Sequence, residues 1–78
     1  MKVDVHNLNV KEAIDLIRLE IKKAYSLKIT QIEVVHGFNK GSAIKKRLQD
    51  LKDPLINHMI VKPGNPGVTL INIKMKLF

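Results

Sequence analysis

Val34-Val35-His36-Gly37-Phe38-Asn39-Lys40-Gly41-Ser42 reads as the end of a strand, a histidine, a glycine-rich turn and the start of a helix. The β-branched valines favour extended backbone, glycine frees it to turn, and a serine hydroxyl suits the cap of a helix that follows. A strand that turns directly into a helix is half of a βα unit, so this stretch makes the chain an α/β protein. The N-terminus of such a helix leaves N–H groups unpaired and carries partial positive charge, a setting in which phosphate or carboxylate is held. A histidine on the shoulder of the turn adds a group that exchanges protons near neutral pH.

Working outward, residues 29–35 are short and β-branched, with Ile32, Val34 and Val35 leaving little for solvent, which predicts a central strand. Before it, Val10, Ala13, Ile14, Ile17, Ile21, Ala24 and Tyr25 recur at helical spacing over residues 10–27. Lys11, Glu12, Asp15, Arg18, Lys22 and Lys23 fill the other face, and Asn7-Leu8-Asn9 supplies a turn with a capping residue. Residues 2–5 alternate Lys, Val, Asp, Val, the period of a half-buried strand with Val3 and Val5 toward the core, and His6 closes it.

After Ser42 a second helix carries Ile44, Leu48 and Leu51 inward, with Lys45, Lys46 and Arg47 on its remaining surface, until Asp53-Pro54 ends it. Residues 58–62 form a third strand, Pro63-Gly64-Asn65-Pro66-Gly67 a turn, and residues 68–75 a fourth strand that makes a hairpin with the third. The order β-α-β-α-β-β predicts one domain over residues 1–78, an α/β (α+β two-layer) sandwich. Its four-stranded mixed sheet carries two helices on one face, and the first βαβ unit is parallel.

A chain of 78 residues buries a modest aliphatic core, 45% hydrophobic with 4% aromatic, and places any site at the surface. With no cysteine, disulfides and thiolate metal sites are excluded. No apolar run approaches the roughly 18 residues of a membrane span, and the first residues lead into a strand rather than a signal peptide, so a soluble, cytoplasmic protein is expected. Fourteen Lys and Arg against seven Asp and Glu give a net charge of +7, which favours a polyanionic partner, nucleic acid before a membrane face.

Val5-His6-Asn7 and Val35-His36-Gly37 echo one another thirty residues apart, one βα unit. If their strands are parallel neighbours, about 4.8 Å apart, both histidines are expected at the carboxyl edge of the sheet, where ligands of open α/β sheets bind. Asp4 and His6 share a strand face at i, i+2, so the carboxylate orients the imidazole.

Two roles compete for an Asp4-His6-His36 cluster. In the favoured one, phosphodiester cleavage needs no metal. One histidine deprotonates the nucleophile, the other protonates the leaving oxygen, and the turn amides with Lys40 stabilise the charged phosphorane. The other is a divalent-metal site, which lacks the second carboxylate cluster that magnesium usually requires, so no cofactor is expected. Gly37, Asn39, Lys40, Gly41 and Ser42 would hold phosphate, supplemented by Lys45 and Lys46. Three residues separate Gly37 from Gly41 and no Lys-Ser/Thr pair follows, so the turn is not a nucleotide-triphosphate loop.

Val3-Asp4-Val5-His6 and His36-Gly37-Phe38-Asn39-Lys40-Gly41 together resemble the two signature motifs of the small MutS-related (Smr) domain, L-D-x-H and H-G-x-G-x-G. The element order and Gly67-Val68-Thr69 at the opening of the last strand are also similar to that family. The chain departs from the pattern at Val3 for leucine, Asn7 where glycine often follows, and Asn39 for the second glycine. The resemblance implies a fold similar to the C-terminal domain of translation initiation factor three. It also implies nucleic-acid binding and, in many members, endonuclease activity on DNA or RNA, with Asp4, His6, His36, Gly37 and Gly41 as functional positions. A non-catalytic nucleic-acid-binding or adaptor module with the same fold is the alternative.

Overall fold

The computed structural model describes residues 1–38 and 42–75. Its elements are β1 (Lys2–Asp4), α1 (Val10–Ser26), β2 (Gln31–Val35), α2 (Ser42–Gln49), β3 (Ile56–Val61) and β4 (Val68–Ile73), the order expected from the sequence. Boundaries move by a residue or two at several ends. β3 begins at Ile56 rather than 58 and β4 ends at Ile73 rather than 75. Ser42 is the first helical residue of α2, and the residues that precede it, 39–41, lie outside the described residues.

α1 starts where Asn9 accepts the Glu12 amide at 2.8 Å and Glu12 reaches back to the Asn9 amide at 3.3 Å, a reciprocal cap for two otherwise unpaired donors. Ala13, Ile14, Ile17, Ile21 and Ala24 form its buried stripe. It stops because Lys28 turns left-handed at φ 60°. The amide of Lys28 then bonds the Tyr25 carbonyl at 3.2 Å and that of Ile29 bonds Ala24 at 2.8 Å, which satisfies the last carbonyls and points the chain into β2. A lysine there bears the strain that glycine avoids. Lys28→Gly is therefore expected to raise unfolding stability by about 0.5–1 kcal/mol in urea titration, with no change in the far-ultraviolet spectrum.

The sheet runs β1-β2-β4-β3. β1 pairs parallel with β2, with Val3 opposite Val34 and Asp4 opposite Val35. β4 lies antiparallel between β2 and β3, pairing Val34 with Thr69 and Ile60 with Leu70, and β3 has a register shift between Ile56 and His58. β2 is central, as its composition predicted.

Val3, Val5, Ile32, Val34, Ile71 and Ile73 join Ile14, Ile17 and Ile21 of α1 and Ile44 and Leu48 of α2 in one core. Both helices thus cover one face of the sheet. The opposite face mixes apolar Val35, Leu70 and Ile60 with charged and polar groups. Lys62 donates to Glu33 at 2.9 Å, with Lys2 nearby at 3.9 Å, and that hydrogen bond, aided by the charge of both lysines, holds the Glu33 carboxyl below its ordinary value. Gln31 donates to Asn72 at 3.4 Å, and Asn72 bonds His58 at 2.9 Å.

Candidate functional site

Parity along β1 decides which of its side chains meet solvent. Val3 and Val5 point into the core, so Asp4 and His6 lie on the open face, with side chains 55% and 49% exposed. The Asp4 carboxylate oxygen Oδ1 accepts the His6 main-chain amide at 3.1 Å and also meets Nδ1 of the His6 ring. A carboxylate at Nδ1 fixes that nitrogen as the proton-bearing one and leaves the lone pair on Nε2. The same two hydrogen bonds from His6 hold the Asp4 carboxyl below its ordinary range.

Ladder bonding brings the turn at Gly37 to this pair. Val5 donates its amide to Val35 at 2.9 Å, and a side chain built on Gly37 would put its Cβ 3.5 Å from Cβ of His6. Gly37 has φ +89°, a conformation that L side chains rarely adopt. The Gly67 carbonyl accepts the amides of both His36 and Gly37, at 3.0 and 3.1 Å, and pins the turn to the start of β4. A Cβ on Gly67 would come within 3.3 Å of the Gly37 carbonyl carbon, so the two turns meet backbone to backbone.

His36 does not join Asp4 and His6 at the surface, and the expected three-residue cluster is corrected to a pair. It continues the inward series Ile32, Val34 and is 1% exposed. Its Nδ1 donates to the Gly37 carbonyl at 2.9 Å, and its Nε2 takes the Thr69 hydroxyl, itself buried, at 2.8 Å. Both ring nitrogens are occupied within the fold, so in this geometry neither is open to a substrate. Among the described residues no three His, Asp or Glu side chains gather as metal ligands.

Of the expected phosphate contacts, Gly37 adjoins His6, while Ser42 and Lys46 are exposed and Lys45 half-buried on α2. Asn39, Lys40 and Gly41 lie outside the described residues. Thr69 is a participant that motif spacing alone does not single out, and its sequence signal is a hydroxyl at an inward position of a core strand, which needs a buried partner.

The Smr domain family model matches residues 3–74. The chain belongs to the Smr domain family. The family is a nucleic-acid-binding, nuclease-like module. In three dimensions this Smr domain is similar to the crystal structure of the Smr domain of Thermus thermophilus MutS2, with a TM-score of 0.87. The likeness covers 94% of this chain and 96% of that chain at 23% sequence identity, and it supports the fold. A comparison with curated proteins returns no match. Among the described residues no helix of the Smr domain is long and apolar enough to cross a membrane.

Proposed function

We propose that this Smr domain binds DNA or RNA and cleaves its phosphodiester backbone by acid/base chemistry centred on His6. The reading is carried by the Asp4–His6 pair, in which one ring nitrogen is tied to a carboxylate and the imidazole is about half exposed, at 49%. In that role Nε2 of His6 removes a proton from the attacking hydroxyl or water as its oxygen bonds phosphorus. The P–O bond to the leaving group then breaks, and the departing oxygen takes a proton from His6 or from solvent. Asp4 keeps the ring oriented and offsets its positive charge when protonated. The Gly37 turn, Ser42, Lys45 and Lys46 are proposed to hold the phosphate, with Asn39, Lys40 and Gly41 as further contacts.

The alternative, a binding or adaptor module without catalysis, is favoured by one observation. With His36 buried, His6 is the one imidazole of the two motifs that faces solvent. Purified protein incubated with supercoiled plasmid and with single-stranded RNA, with and without divalent metal, separates the readings. Nicked plasmid or cut RNA is expected, and Asp4→Ala should reduce it by about tenfold or more while binding is kept. Binding without cleavage of either substrate favours the adaptor. Undiminished cleavage by Asp4→Ala removes the pair from the mechanism. Affinity should fall steeply between low and physiological salt, as phosphate-led binding requires.

A further inference from the structure

We propose that Phe38 is a stacking platform for an unpaired base, which makes single-stranded nucleic acid the substrate of this site. The proposal presupposes the nucleic-acid binding put forward above. The chain has one tyrosine, two phenylalanines and no tryptophan. Tyr25 packs against the core and Phe78 lies outside the described residues, whereas Phe38 is 69% exposed. An isolated exposed apolar side chain needs no special explanation. The position of Phe38 is what distinguishes it from exposed Leu19 on α1. It is one Cα step, about 3.8 Å, from Gly37, and the Cβ position of Gly37 lies 3.5 Å from His6. Phe38 is therefore the immediate chain neighbour of the glycine that packs on the proposed proton-transfer residue, and it is exposed on a chain with net charge +7.

A base within a duplex has both faces covered by its neighbours, whereas an unstacked base offers a π-face to an aromatic side chain. A net charge of +7 attracts any polyanion, so charge alone would not separate single strands from duplexes. Phe38 supplies that discrimination without reading base identity, because every base has such a face.

Binding of a mixed-sequence single-stranded RNA, its DNA counterpart, the RNA annealed to its complement, and an abasic strand of equal length tests the proposal. Phe38→Ala is expected to weaken single-strand binding by roughly tenfold and duplex or abasic binding by less than about twofold. Circular dichroism checks that the fold is kept. Since the chain has no tryptophan, Phe38→Trp provides a single reporter. Its fluorescence should be quenched by the base-bearing single strands and not by the abasic one, while Leu19→Trp stays unquenched by all four. The RNA and DNA arms show which sugar is preferred. If the wild type binds all four ligands alike and Phe38→Ala changes nothing, base stacking is overturned and nucleic-acid binding stands. If the wild type binds none, both fall.

Discussion

Replacing His6 with alanine is expected to slow phosphodiester cleavage by about 10²–10⁴-fold and to leave nucleic-acid affinity within about twofold of the wild type. His6 is half-exposed on the open face of β1, so its truncation leaves the core untouched, and the unfolding midpoint should move little. Single-turnover cleavage beside equilibrium binding separates the two quantities. Equal losses of binding and cleavage would make His6 a phosphate contact instead of a proton carrier.

The acid response of the pair has a definite sign. Asp4 is held below its ordinary carboxyl value by the hydrogen bonds from His6, so it stays ionised from neutral pH down through about pH 5. The stability it lends is present above its unfolded-state value and lost as pH falls through the depressed folded one. A fall in cleavage between about pH 7 and 5 therefore reports another group, and Asp4→Asn should keep that limb while lowering the plateau.

His36→Ala is expected to act on the other side of the sheet and by another route. Removing the ring, which is 1% exposed, opens a cavity and strands the buried Thr69 hydroxyl that it bonds at 2.8 Å. Large-to-small replacement in a core costs about 2–5 kcal/mol, and an unpaired buried polar group about 1–3 more. Native proteins have only about 5–15 kcal/mol in total, so the variant should lose a large share of its stability. Urea unfolding measures the loss. Thr69→Val should cost less, about 1–2 kcal/mol, and the double variant less than the sum. If His36→Ala unfolds at the same urea concentration as the wild type and still loses cleavage as His6→Ala does, then His36 takes part in the chemistry and its burial misleads.

Much of this architecture is legible in local spacing. The α1 stripe from Ala13 to Ala24, the Asn9 cap and the two-residue period of Val3 and Val5 each report on neighbours along the chain. That same period places Asp4 beside His6. It also puts His36 in register with Ile32 and Val34, so its burial could be read from the strand alone. The echo between the two Val-His pairs obscures this, because Asp4 lies opposite Val35 and His6 therefore falls level with Gly37. Register between strands is set by pairings distant in sequence, which composition does not encode. The insertion of β4 between β2 and β3 is of that kind: a hairpin is visible in the turn residues, but which edge it adds to β2 is not.

That insertion also sets an order of events on the ribosome. The first motif and the histidine of the second are made early, yet the hydroxyl that seats His36 and the carbonyl that pins Gly37 belong to Thr69 and Gly67. A nascent chain that has reached β3 has β2 with one bare edge and Gly37 without the Gly67 carbonyl that accepts its amide. Closure of the sheet by β4 completes the glycine turn beside His6, so the proposed site is assembled only once that strand has been made.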